Sequence, residues 1–158
     1  MKILITICAR GGSKGILGKN IKTINGKPLI YYTLKTASLF KDKHRSLIDI
    51  VISTDSNEIK SVVSSLNFQV DTSYHRPDFL ATDSAGKIGV IKDVKNYMEK
   101  KHLKKYDYVL DLDVTSPLRS VEDLENAFTL VKNNKKAYNL FSVSPANRNP
   151  YFNMVEKN

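Results

Sequence analysis

Lys2-Ile3-Leu4-Ile5-Thr6-Ile7-Cys8, then Ala9-Arg10-Gly11-Gly12-Ser13-Lys14-Gly15, then Ile16-Leu17-Gly18-Lys19-Asn20 is the stretch on which the reading of this chain turns. An apolar, β-branched run of strand type stops abruptly in a loop with four glycines and three cations, Arg10, Lys14 and Lys19. Glycine lacks the Cβ that blocks close approach and tolerates positive φ, so such a loop can turn several backbone N–H groups toward one anion. The cations add charge that the backbone cannot supply. A triphosphate is the natural guest; a flexible surface turn is the plainer alternative, though it needs neither this length nor these cations. The loop is not a P-loop, because Gly12 to Gly18 is one residue too long and Asn20 follows the lysine.

Working outward, the rest of the chain alternates strands with helices. A short strand over 21–24 reaches the turn Asn25-Gly26, and Pro28 suits the first turn of a helix ending near Phe40. Leu47–Ser53 is a continuous apolar strand of the doubly buried kind. Asp55 and Glu58 have capping-box spacing for a helix to about Leu66. A short strand is expected over 68–70, a loop over 71–82, and a helix over 84–104 with Gly86 and Gly89 near its start, which suggest close packing or a ligand there. A strand over 106–113 leads through Thr115-Ser116-Pro117-Leu118-Arg119 to Ser120 and Asp123, a second capping-box spacing, and a helix to about Asn133. Strands are also expected over 138–144 and over 151–158. This alternation predicts an α/β fold of three layers, α/β/α, with a doubly wound, mostly parallel sheet. In such sheets ligands bind beyond the carboxyl ends of the strands. The polar clusters at 10–20, 54–55 and 111–119 all fall there.

Composition narrows the class. The 158 residues suffice for a single domain over 1–158 with a sizeable core. No apolar run approaches the ~18 residues of a membrane span, and the N-terminus enters a strand without room for a signal peptide. One cysteine, Cys8, fits a reducing cytoplasm and reads as a buried, inert thiol. The net charge of +9 is compatible with nucleic-acid binding, but the lysines are spread over helix-like segments and no nucleic-acid module is recognisable. Neither a nucleic acid nor a membrane is therefore expected as a partner.

Asp111 and Asp113 stand two apart on one strand, so both point to the same face, ~6.6 Å apart along it. Magnesium favours one or two carboxylates completed by phosphate oxygens and water, which makes this pair a candidate metal site. The alternative is that Asp111 caps backbone groups and only Asp113 meets solvent.

Taken together, several motifs resemble the acylneuraminate cytidylyltransferase family, the CMP-sialic acid synthetases and their bacterial nonulosonic acid relatives. The motifs are Ala9-Arg10-Gly11-Gly12-Ser13-Lys14-Gly15 with Lys19-Asn20; Gly26-Lys27-Pro28-Leu29; Ser53-Thr54-Asp55; Arg76-Pro77 with Leu80-Ala81-Thr82-Asp83; and Thr115-Ser116-Pro117-Leu118-Arg119. The resemblance implies a Rossmann-like, GT-A-like nucleotidyltransferase that transfers CMP from CTP to the 2-hydroxyl of a nine-carbon α-keto sugar acid and releases pyrophosphate. It implies Arg10 and Lys19 as catalytic residues. The implied nucleotide site comprises Ala9, Arg10, Gly11, Gly12, Ser13, Lys14, Lys19, Asn20, Arg76, Asp83, Thr115 and Ser116. Arg10, Ser13 and Lys19 hold the triphosphate in that reading, with Asn20 near the cytidine. Mg²⁺ is the implied cofactor, CTP and a sugar acid are the implied partners, and the cytoplasm is the implied compartment.

Two features depart from the family pattern. Asp113-Val114 stands where many members have glutamine and proline, and with Ala85-Gly86-Lys87 it leans toward branches acting on legionaminic-type sugars. Members also usually run past 200 residues. The part missing by that comparison carries a dimerisation arm, much of the sugar pocket and a metal-binding Asp-x-Asp pair. The resemblance therefore implies weak CTP binding, poor turnover and no usual arm for a homodimer. Competing readings are another sugar nucleotidyltransferase, such as a 3-deoxy-octulosonate cytidylyltransferase, and a catalytically inactive nucleotide-binding module.

Overall fold

The computed structural model describes residues 1–12, 15–44, 47–143 and 145. Ser13, Lys14 and the strand expected over 151–158 lie outside the described residues. The chain divides into two compact units, Met1–Leu124 and Glu125–Asn158. The first holds every strand found among the described residues.

Its centre is β1, Lys2–Cys8, flanked by β4, Leu47–Ser53, and β5, Tyr108–Asp111, in a three-stranded parallel sheet ordered β4-β1-β5. The intervening β2, Thr23–Ile24, and β3, Lys27–Pro28, form a small antiparallel hairpin around Asn25-Gly26. The apolar run of β1 explains its place. Ile3, Leu4, Ile5 and Ile7 are all fully buried, as a strand covered on both faces requires. On one face Leu4 and Val51 join Val90, Val94 and Met98 of α3, Lys87–His102, in one core cluster with Tyr74 and Tyr106. The opposite face presents Ile3, Ile5 and Ile7 beside Ile48, Ile50 and Ile52. Helix α1, Leu29–Lys43, carries a buried stripe of Ile30, Leu34, Ala37 and Phe40. Helices α2, Asn57–Ser65, and α4, Val121–Asn133, complete the α-helices among the described residues.

Several expectations need correction. Pro28 precedes α1 in extended backbone instead of opening it, and the helix runs on to Lys43. Asp55 does not cap α2. The Ser56 hydroxyl does so, accepting the Ile59 N–H at 3.3 Å, because Asp55 is drawn to the glycine loop. No strand forms over 68–70. Only Asp71 bridges to β4, by two backbone bonds, and its carboxylate then turns back to the Ser73 N–H. Helix α3 starts three residues later than expected, and Leu103 at φ 48° ends it. Close packing does not explain its two glycines: a Cβ at Gly86 meets open space and one at Gly89 meets only ordinary contact. The strand expected over 106–113 is regular only over Tyr108–Asp111. Within the second unit, 138–143 is not a strand, and Tyr138 and Phe141 are exposed. The Ser120–Asp123 capping box forms as expected, with both reciprocal bonds made at 2.8 and 3.0 Å.

Candidate nucleotide site

The chain leaves β1 toward β4 on one side of the sheet and returns to β5 on the other. The carboxyl ends of β1 and β5 therefore flank a topological switch point, where a parallel sheet opens a crevice. A cavity of about 240 Å³ lies there, lined by Cys8, Arg10, Lys19, Asn20, Arg76, Lys87, Val90, Asp113 and Thr115. Four of these side chains are cations.

The glycine loop is held from beneath. Ala9 donates to the Ser53 carbonyl at 2.9 Å, continuing the sheet ladder by one bond. The Gly11 N–H donates to Asp55 Oδ1 at 2.8 Å. A Cβ at Gly11 would stand 3.0 Å from the Ser56 Cβ, tighter than ordinary contact, so glycine eases the approach of the loop to the start of α2. Gly12 and Gly15 face open space. Asn20, 5 % exposed, donates its side-chain N–H to the Arg10 carbonyl at 3.0 Å and so ties the two ends of the loop together. Gly18, at φ 61°, turns the chain into the 3₁₀ turn Lys19–Ile21 that presents Lys19.

Arg76 is the most deeply buried cation among the described residues, at 4 % exposure. Its Nε donates to the Ser53 hydroxyl at 3.0 Å and one terminal nitrogen to the Ser53 carbonyl at 2.8 Å. No carboxylate pairs with it among the described residues. A buried guanidinium without an anion is costly, and its place on the cavity wall gives it access to an anionic or carbonyl-bearing guest. Arg10 pairs with Asp83 at 2.5 Å, an exposed bridge at the rim. Lys19 makes no ion pair among the described residues.

Asp111 and Asp113 share one side, as their spacing predicts, and Lys87 Nζ lies 2.6 Å from Asp111 Oδ2 and 3.4 Å from Asp113 Oδ2. Burial alone works against the Lys87 charge, but the Asp111 carboxylate, aided by Asp113, outweighs it and holds the ammonium above its usual range. Burial likewise opposes the charge of Asp113. The Lys87 charge and the bonds from Thr115 outweigh it and keep the carboxyl below its usual range. Thr115 donates both its N–H and its hydroxyl to Asp113 Oδ1, at 3.2 and 3.1 Å. This donor set suits a hard divalent cation: two carboxylate oxygens already converge on one positive centre, leaving phosphate and water to finish the shell. Among the described residues no group of three or more His, Cys, Asp or Glu could hold a metal by itself.

Burial first, and Asp111 second, push the Cys8 thiol up to about 12, in keeping with an inert thiol. Of the residues expected at the site, Arg10, Lys19, Asn20, Arg76, Asp113 and Thr115 line the cavity. Ala9, Gly11, Gly12, Asp83, Asp111 and Ser116 do not; the first three shape the loop behind it, Asp83 and Asp111 pair with cations that do line it, and Ser116 is exposed. Sequence reasoning left Lys87 without a role at the site. Its signal was a cation on the first turn of a predicted helix, where the helix dipole disfavours it unless an acid is near.

A family model described as cytidylyltransferase matches residues 4–155. The flagellin post-translational modification protein B of Campylobacter coli is 42 % identical over 158 residues, covering 98 % of this chain and 63 % of its own length. The CMP-N,N'-diacetyllegionaminic acid synthase of Campylobacter jejuni is 40 % identical over 158 residues, with the same coverage. That chain's namesake in Legionella pneumophila is 34 % identical over 150 residues, covering 95 % of this chain and 61 % of its own. This chain thus spans about three-fifths of the length of these relatives. Among solved structures, a CMP:2-keto-3-deoxy-manno-octonic acid synthetase complexed with CTP superposes with a TM-score of 0.60 at 21 % identity, over 84 % of this chain and 48 % of that one. That likeness concerns the fold.

Proposed function

Since this chain belongs to the cytidylyltransferase family, we propose that its cavity binds CTP and that the protein transfers CMP to a hydroxyl of a nine-carbon α-keto sugar acid, releasing pyrophosphate. One observation carries the proposal: four cations line a crevice at the switch point of the sheet, and the most buried of them, Arg76, has no carboxylate partner among the described residues. A legionaminic-type acid is the favoured acceptor, since relatives bearing that name match nearly the whole chain.

In the reaction the acceptor hydroxyl loses its proton to solvent, its oxygen forms a bond to the α-phosphorus, and the bond from that phosphorus to the bridging oxygen of the departing pyrophosphate breaks. Such transfers need charge neutralisation and in-line positioning more than a covalent catalyst. Arg10 and Lys19, on the loop after β1, supply positive charge to the triphosphate. A Cβ at Gly12 or at Gly15 would meet open space, which leaves room for phosphate oxygens to approach the loop there. Arg76, fixed by Ser53, reads a polar edge of the nucleotide from the cavity wall. Asn20 keeps the loop closed from behind through the Arg10 carbonyl. Mg²⁺ held by Asp113 and Asp111 would add charge neutralisation at the phosphates. A cytoplasmic site of action accords with the single thiol, and no helix among the described residues is long and apolar enough to cross a membrane.

The test is a titration of this chain with CTP, UTP, ATP and GTP, each with and without Mg²⁺. Selective CTP binding that Mg²⁺ strengthens is the expected result. Equal affinity for all four, or none for any, counts against the reading.

A further inference from the structure

Lys87 is the first residue of α3, an unfavourable place for a cation unless something holds it there. What holds it is the end of β5. Each carboxylate there splits its two oxygens between different tasks. Asp111 Oδ1 accepts the buried Thr6 hydroxyl at 2.9 Å, and Asp111 Oδ2 faces Lys87. Asp113 Oδ1 accepts the two Thr115 donors, and Asp113 Oδ2 faces Lys87. The chain has fixed one oxygen of each acid and left the other pointing to one shared spot, which the Lys87 ammonium fills. A cation that bridges the two acids would need the same spot. Lys87 is also on the wall of the cavity with Arg10 and Lys19, and its side chain is about half exposed, so its four-carbon stem has room to turn.

We propose that Lys87 is a resident counter-ion that gives up its place to a divalent cation arriving with the nucleotide, and then binds the nucleotide's phosphates itself. A bare divalent cation entering this spot would evict an ammonium that pairs with no other anion among the described residues. A cation entering with a triphosphate evicts the same ammonium onto phosphate oxygens. Metal and nucleotide therefore strengthen each other's binding, and the coupling is reciprocal. The inference rests on the nucleotide reading of the cavity, and the experiment separates the two.

The experiment measures Mn²⁺ affinity with and without CTP for the wild-type chain, Lys87→Met, Lys87→Arg and the double variant Lys87→Met/Asp113→Asn. Without nucleotide, Lys87→Met is expected to bind Mn²⁺ about fivefold more tightly than wild type, the scale of one partly exposed ion pair. Lys87→Arg stays at the wild-type value, and the double variant loses the gain. With CTP, wild-type Mn²⁺ affinity rises, and it rises several-fold less in Lys87→Met. An unchanged or weaker nucleotide-free affinity in Lys87→Met overturns the proposal, as does a gain that survives Asp113→Asn. CTP that binds the wild type without tightening Mn²⁺ also overturns it. A wild type that binds no CTP removes the nucleotide reading. The nucleotide-free comparison then still decides whether Lys87 blocks the two carboxylates. Should Lys87→Met melt at a lower temperature than wild type, Lys87→Gln supplies the same comparison.

Discussion

The Asp55 carboxylate, two residues past the end of β4, accepts the N–H of Gly11, in the loop after β1, at 2.8 Å. The two residues are far apart in sequence, and the bond fixes the height at which the glycine loop leaves the sheet. Asp55→Ala leaves that N–H without its partner and frees the loop. A nucleotide titration should show affinity lowered about tenfold, and thermal unfolding should show a loss of about 1 kcal/mol. Asp55→Asn retains an acceptor oxygen and should recover most of both.

Arg76 tests the cavity wall. Its guanidinium makes two bonds to Ser53 and lines the cavity with no carboxylate partner among the described residues. Lysine cannot supply the planar fork. Arg76→Lys is expected to weaken CTP binding at least about tenfold while costing about 1–2 kcal/mol of stability. Calorimetry of CTP binding, run beside a melting curve, checks both. CTP affinity equal to wild type would remove Arg76 from the site.

Cys8 should resist modification. Its thiol, held up to about 12 by burial and then by Asp111, is almost wholly protonated at pH 8. Iodoacetamide should label the native chain at least about tenfold more slowly than the urea-unfolded chain, where the thiol returns to about 8.5. The readout is the labelled fraction by mass spectrometry against time.

Glu99, in α3, accepts from Lys95 at 2.7 Å, Lys105 at 2.9 Å and the Tyr106 N–H at 3.1 Å. The Lys95 bond first and the Lys105 bond second lower its carboxyl from 4.5 to about 2. A group whose folded value lies below its unfolded value adds stability above the unfolded value, and that stability fades as pH falls toward the folded one. The Glu99 contribution should thus be complete above about pH 5 and fall away between about pH 4.5 and 2. The difference in melting temperature between wild type and Glu99→Gln should shrink across that window. A difference that does not vary with pH contradicts the assignment.

Part of this protein is legible in its sequence. The uninterrupted apolar run of Lys2–Cys8 is enough to make it a strand covered on both faces, and the alternation that follows specifies a parallel sheet. The boundaries of Leu47–Ser53 and the Ser120–Asp123 cap also read directly, because apolar runs and caps are local signals. Local spacing likewise put Asp111 and Asp113 on one side of β5. Other assignments depended on partners distant along the chain. Asp55 has capping-box spacing, yet the fold brings Gly11 within reach of its carboxylate and leaves the cap to Ser56. Arg76 is marked in the sequence only by the family resemblance, and its local pattern says little until β4 places Ser53 against it. Lys87 shows no role until α3 packs across β1 and sets its ammonium between two acids at and just beyond the end of β5. Periodicity and capping act over a few residues, so the sequence determines them alone; charge pairing acts through space, so only the tertiary structure decides which ions meet.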